Sequence, residues 1–348
     1  MDLLVKYTYM DGVDPVPLGS LKKDIMPNLV LFIPIFQELT EEIVPPRFGQ
    51  VEDWTPVNLY PIMLRMLAVM TARVMISPNA PHDQLWVELT EDYVLSAITL
   101  SRFLKWWHPA LRPFVQYFMP DYKEVQHKLK YGRATIERTI KEQDEREAKG
   151  ELEPKPTSVF YGLMHKLHHK TKSVIEWHLK EQMNLAVGGI HTTSSVLTQT
   201  LFEIVWNPKY TKPLREEARQ SHAKCNGKST KTILWDMHKL GSFIRETHRL
   251  NSPTIHRDES VYPNADYFDG LRFVKLRKED PEGRHHYVSN RKDYSGWDIG
   301  KASCPGRFLA DVEIKVVVAC ILLNYDLKNP EGQERQKSVI FENQFSQS

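Results

Sequence analysis

Apolar residues recur at intervals of three and four across residues 61–76, 90–106 and 123–149. That period places them on one face of an α-helix. The third stretch turns highly charged at Lys141-Glu142-Gln143-Asp144-Glu145-Arg146-Glu147 and reads as a solvated helix tip running into the polar loop 150–157. A longer periodic stretch covers 174–205, and residues 312–323 are apolar almost all round, the pattern of a buried helix. Strand signals are few, internal repeats are absent, and no linker is long enough to separate domains. The pattern predicts one mainly α domain over residues 1–348 with a reduced β component.

Composition narrows the picture. A chain of 348 residues can bury a sizeable core, and a net charge of +2 gives no reason to expect nucleic acid or another polyanion as partner. The three cysteines, Cys225, Cys304 and Cys320, have no paired spacing, which favours a reducing compartment over a disulfide framework. Cys320 falls in an apolar run and reads as core; Cys225 lies in a polar turn. No segment approaches the ~20 apolar residues that span a bilayer. Nor do the first residues show a signal peptide. His165, His168 and His169 suggest a metal site, but Lys166, Lys170 and Lys172 would repel a cation, so a solvated basic face is the simpler reading. Residues 102–119 are rich in aromatics with scattered bases; they suit either a membrane interface or the core.

Chemistry enters at Trp297-Asp298-Ile299-Gly300-Lys301-Ala302-Ser303-Cys304-Pro305-Gly306-Arg307, directly before an apolar helical run. A thiol there lies close to a helix N-terminus, whose unpaired N–H groups favour a thiolate. Gly300 and Gly306 let the backbone approach a flat ligand. A thiolate held this way is a ligand for iron; the plainer alternative is a buried structural cysteine beside a Pro-Gly turn.

Two further segments carry polar signals. Glu246 and Arg249 stand three apart in a helical stretch, so carboxylate and guanidinium lie one above the other. Such a pair is commonly solvated, but an arginine fork also suits a buried network. Ala186-Val187-Gly188-Gly189-Ile190-His191-Thr192-Thr193 sits inside the periodic stretch 174–205. Each mid-helix glycine costs about 1 kcal/mol relative to alanine, so the pair marks close packing or a ligand against the backbone. A following threonine can bond the i−4 carbonyl and open the helix locally. Without a ligand, the same residues make a polar kink.

In order and spacing, these segments resemble those of the cytochromes P450. The loop at Trp297 is similar to that family's haem-binding loop, with Gly300, Cys304 and Gly306 in register. The Glu246 segment resembles its K helix, Phe268-Asp269-Gly270-Leu271-Arg272-Phe273 its meander, and the Gly188-Gly189 segment its I helix. Trp54-Thr55-Pro56-Val57-Asn58 and Pro213-Leu214-Arg215-Glu216-Glu217 read most like the fungal secondary-metabolite group.

The resemblance implies a P450-like helical fold and a haem-dependent monooxygenase. It implies heme b (iron protoporphyrin IX) with Cys304 as axial thiolate, cradled by Trp297, Gly300, Gly306, Lys301 and Arg307. Arg272 would join Glu246 and Arg249 in a structural network. Thr192 and His191 would serve the oxygen side, with His191 standing where the family usually has an acid. Electrons would come from NADPH-cytochrome P450 reductase to O2, and the substrate would be an apolar small molecule such as a terpenoid.

Some residues depart from the family pattern. Ala302 takes the usual basic position for a haem propionate, which leaves Lys301 or Arg307 to compensate. Residues 1–27 read like the run into the C helix, with the anchor, first strands and B region absent. Only six residues separate Arg249 from His256-Arg257-Asp258, where the family places a strand pair and a propionate-binding basic residue, a part the resemblance would give to Arg257. These features predict a cytosolic protein or one peripherally associated with the endoplasmic reticulum. They also support an alternative, a P450-derived protein without functional haem.

Overall fold

All three amphipathic runs form helices, and two have start signals ahead of the apolar stripe. Asp83 accepts the backbone N–H of Trp86 and starts one; Pro120 occupies the first turn of another. The computed structural model describes residues 14–49, 53–151, 158–164, 172–224, 231–251, 257–280, 285–291, 293–294, 296–300, 303–330, 332–333, 339–341 and 344–346.

The helices are α1 (Pro15–Ser20), α2 (Phe32–Phe48), α3 (Leu59–Met75), α4 (Gln84–Lys105), α5 (Arg112–Val115), α6 (Pro120–Ala148) and α7 (Val159–Met164). There follow α8 (Lys172–Ala186), α9 (Thr192–Trp206), α10 (Thr211–Ala223), α11 (Lys231–Asp236), α12 (His238–Asn251), α13 (Arg272–Glu279) and α14 (Arg307–Asn324). Among the described residues, strand pairing is confined to an antiparallel hairpin, Val339–Phe341 with Gln344–Ser346, and one bridge between Arg291 and Tyr294. A mainly α architecture with little sheet is what the periodicity predicts.

The chain divides into two compact units, Met1–Asn28 with Leu64–Thr192, and Leu29–Met63 with Thr193–Ser348. In the first, α4 packs on α6 and buries Trp86, Leu89, Tyr93, Ala97, Leu100 and Leu104, the helical stripe read from the sequence. Helix α6 in turn packs on α8. A Cβ at Gly132 would lie 2.6 Å from a Leu179 methyl, so any larger residue there would displace the Leu179 side chain.

In the second unit, α14 is buried from Leu309 to Leu322 and packs on α2 and α10. Two of its three buried charged residues pair with each other: Lys315 Nζ lies 3.0 Å from Asp311 and donates to the Leu234 carbonyl at 2.8 Å. Arg215 closes the C-terminal end, donating to the carbonyls of Leu322 (2.6 Å) and Tyr325 (2.8 Å). Glu217, on the same helix as Arg215, caps α12 by accepting the N–H groups of Lys239 and Leu240, both at 2.8 Å. The Pro213–Glu217 segment thus fixes one end of each of two helices.

The aromatics of residues 102–119 are exposed, which rules out the core reading for them. Trp106 is 87% and Phe118 86% exposed, and Phe114, Tyr117 and Leu111 are also exposed. The turn is held by Arg112, whose buried Nε donates to the Trp107 carbonyl at 2.8 Å. No helix among the described residues is long and apolar enough to cross a membrane.

Candidate functional site

Helix α12 carries Glu246 and Arg249 inward. Arg249 grips the carboxylate with Nε at 2.8 Å and Nη2 at 2.9 Å, a two-point fork in which both side chains are fully buried. Arg272, at the start of α13, brings its Nε to 3.1 and 3.2 Å from the same two oxygens. The Asp269 N–H adds a further donor at 3.1 Å. The remaining guanidinium donors go to the carbonyls of Ala265, Pro263, Asn264 and Tyr267. One carboxylate therefore gathers two cations, and they in turn pin the irregular segment 263–267. The sequence indicated the three residues; the four carbonyls that complete the network follow only from the fold.

The cysteine loop is built beside α14. The Cys304 N–H donates to the Trp297 carbonyl at 2.8 Å, closing the loop on itself. Gly300 takes φ +68° and Asp298 φ 58°, left-handed positions suited to glycine and tolerable for aspartate. Trp297 is anchored by its indole N–H, which donates to the Tyr287 carbonyl at 2.8 Å. Arg307 spans the loop: Nη1 donates to the Cys304 carbonyl at 2.9 Å and Nε to the Val288 carbonyl at 3.2 Å. Asn290 donates to the Ser303 hydroxyl at 2.6 Å.

The sulfur itself lies at the N-terminus of α14. Burial dominates and holds the Cys304 thiol above its ordinary value, against the opposing pull of the Gly306 and Arg307 N–H groups and the Arg307 charge. This is a sulfur already surrounded by donors that would stabilise its negative charge. Lys301 and Ala302 lie outside the described residues, as do Cys225, His165, His168, His169 and His256. Arg257 is exposed and paired with Asp266 at 3.1 Å.

The first unit contains the glycine pair. Residues Val187–His191 widen into a π-helical turn between α8 and α9. The Thr192 hydroxyl donates to the Gly188 carbonyl at 2.6 Å, the i−4 bond expected to open the helix. A Cβ on Gly188 would meet nothing within 4 Å, so that face is open. Burial holds the His191 imidazole below its ordinary value, opposed by its bond to the Glu91 backbone and the Asp92 charge. Its buried Nε2 has no hydrogen-bond partner. The bond to Glu91 therefore uses Nδ1, which carries the proton and leaves Nε2 as a lone-pair acceptor. A π-turn with an open face and an unengaged imidazole nitrogen is a frequent functional arrangement.

A family model described as cytochrome P450 matches residues 88–255 and 249–347. The chain belongs to the cytochrome P450 family. Among fungal P450 relatives, it is 28% identical to the cytochrome P450 monooxygenase braC of Annulohypoxylon truncatum over 97% of this chain and 74% of that protein. It is likewise 28% identical to the monooxygenase olcJ of Penicillium canescens, over 97% of this chain and 70% of that protein. Identity to the monooxygenase ATR3 of Stachybotrys chlorohalonatus is 25%, over 93% and 76%.

P450s carry a haem with a thiolate ligand, and the donor set around Cys304 fits one: a sulfur at a helix N-terminus with two backbone N–H groups and a guanidinium charge beside it. The propionate side is less complete. Arg307 places its donors on the loop itself, and Arg257 is engaged with Asp266.

Sequence reasoning passed over His248, Tyr287 and Tyr294, which pack with Trp297 in this P450. Their ring centroids lie 5.2 Å (His248 to Trp297) and 5.0 Å (Tyr287 to Trp297) apart, and Tyr294 lies 6.3 Å from His248. No motif spacing marks them. The one available signal was His248 itself, a titratable residue between Glu246 and Arg249 on a helix that buries both.

Proposed function

We propose that this chain, taken as one P450-like domain over 1–348, is a haem-thiolate monooxygenase that oxidises an apolar small molecule. The observation that carries this reading is the Cys304 sulfur at the N-terminus of a buried helix, with backbone N–H donors from Gly306 and Arg307. When bound, the haem supplies O2 activation, with thiolate ligation favouring O–O cleavage. The protein supplies the rest. Cys304 would hold the iron through its sulfur. Trp297, Gly300 and Gly306 shape the loop against the porphyrin, Arg307 locks the loop, and Lys301 is assigned to the propionate side.

Glu246, Arg249 and Arg272 keep the region behind the loop rigid. Thr192 and His191 handle protons on the oxygen side: the Thr192 oxygen accepts while its proton is held by Gly188, and His191 Nε2 is free to take one. Electrons come from NADPH-cytochrome P450 reductase. The substrate we assign is a terpenoid or other fungal secondary metabolite, on the resemblance of the Trp54–Asn58 and Pro213–Glu217 segments to that fungal group. The exposed aromatics of 102–119 suit a peripheral membrane contact, consistent with a cytosolic or endoplasmic-reticulum-associated enzyme.

A carbon monoxide difference spectrum of the reduced protein tests this. A strongly red-shifted Soret band is expected, lost in Cys304→Ala and kept in Thr192→Ala, where oxygen use uncouples from product. A second reading, a P450-derived protein without functional haem, is favoured by the engagement of Arg307 and Arg257 elsewhere. Folded protein that takes up no porphyrin supplied in excess would establish it.

A further inference from the structure

His248, Tyr287 and Tyr294 pack with Trp297 behind the cysteine loop, and the proposed oxidation gives these three no role; the two tyrosines are buried, His248 and Trp297 half-buried. His248 Nδ1 lies 3.4 Å from the Tyr287 hydroxyl and 3.2 Å from that of Tyr294. The Tyr287 and Trp297 rings meet edge to face at 5.0 Å, and the indole N–H is bonded to the Tyr287 carbonyl at 2.8 Å. Trp297 also accepts the Cys304 N–H. The four rings thus lead away from the thiolate loop in unbroken contact.

Both phenols are fully buried, and burial holds the Tyr287 phenol well above its ordinary range. A phenol in such surroundings cannot leave a charged radical behind when it loses an electron, because an isolated buried charge is costly. It must release its proton in the same event, and His248 Nδ1 is the base in reach. The two phenols differ in one respect. The Arg245 guanidinium sits 4.1 Å over the Tyr294 ring, where its positive charge opposes electron removal. Tyr287 is the easier donor.

We propose that Trp297, Tyr287 and His248 form an electron-donor relay, in which oxidised Trp297 takes an electron from Tyr287 as the phenolic proton passes to His248. The balance is complete. A one-electron oxidant removes an electron from the Trp297 indole, leaving an indole radical cation whose N–H stays bonded to the Tyr287 carbonyl. That cation gains one electron from Tyr287, restoring the indole. The Tyr287 O–H bond breaks, leaving a neutral phenoxyl radical and a His248 imidazolium. In a haem-thiolate enzyme the relay would draw a misplaced oxidising equivalent off the Cys304 loop. That use rests on the proposed function; the relay itself does not.

The test uses the full chain and azidyl radical, a one-electron oxidant of indoles that is reduced to azide. Pulse radiolysis follows decay of the indole-radical absorption and growth of the phenoxyl absorption. A concentration-independent conversion phase is expected, slower in D2O. It should vanish in Trp297→Phe and Tyr287→Phe and persist in Tyr294→Phe. His248→Gln should slow it by about a hundredfold, the scale of losing a positioned base. An unchanged phase in Tyr287→Phe, or its loss in Tyr294→Phe alone, overturns the proposal. Where the Tyr287 variant fails to fold, the solvent isotope effect and Trp297→Phe decide: no isotope effect, or an unaltered phase, overturns it. The carbon monoxide band of the same preparation reports separately on the haem.

Discussion

The Glu246 network and the stretch around Val187–His191 are both polar groups set into helices, and they are satisfied in opposite ways. Around Glu246 every oxygen is engaged, by two guanidiniums and a backbone N–H. Along α8 and the π-turn, buried polar atoms stand without partners: both ring nitrogens of His178, the Gln182 amide and His191 Nε2. A complete network rigidifies because each member is costly to expose alone. An incomplete one stores that cost where a ligand or a proton can relieve it. The first arrangement braces, and the second is the kind found where chemistry occurs.

The sharpest break in this contrast is Glu246→Gln. It leaves two buried guanidiniums facing a neutral amide, and removal of one partner from a buried ion pair costs about 3–5 kcal/mol. The urea midpoint should fall accordingly. A variant as stable as the parent would show that the carbonyls alone hold Arg249 and Arg272.

The second test addresses the unsatisfied side. His178 is fully buried between Phe160 and Trp177, and burial pushes its imidazole down to about 4. The unfolded chain takes up a proton near the ordinary value of about 6.5, whereas the fold resists until about 4. Stability is therefore intact above that ordinary value and declines as pH falls toward the lower one, by roughly 3 kcal/mol at most. His178→Phe should flatten that part of the stability profile, measured by urea unfolding at several pH values. An unaltered slope would place the acid sensitivity elsewhere.

The smallest effect is expected at Gly188. Its Cβ would enter open space, so Gly188→Ala should raise stability by up to ~1 kcal/mol, read as a higher melting temperature. If that gain comes with weakened binding of an apolar ligand, the open face is a binding surface. A loss of stability would mean that the π-turn itself needs glycine.

Particular residues show how far sequence reasoning reached. The periodic stripe of α4 and the apolar α14 were readable because helix geometry turns a spacing of three and four into a shared face. The i−4 bond of Thr192 was readable because it is local. Arg272 was not linked to Glu246 by any local rule, and only the family resemblance brought it in. His248 and its tyrosines were invisible because 39 and 46 residues separate His248 from Tyr287 and Tyr294. The fate of the aromatics at 102–119 was likewise open, since a Trp-rich run looks the same whether buried or exposed.

What the chain's order of residues determined was local: where helices run, where glycine permits a turn, and which sulfur precedes a helix. Tertiary structure alone decided which polar atoms found partners. That choice depends on groups far apart in sequence meeting away from water, where a missing hydrogen bond is costly enough to separate a brace from a reactive site.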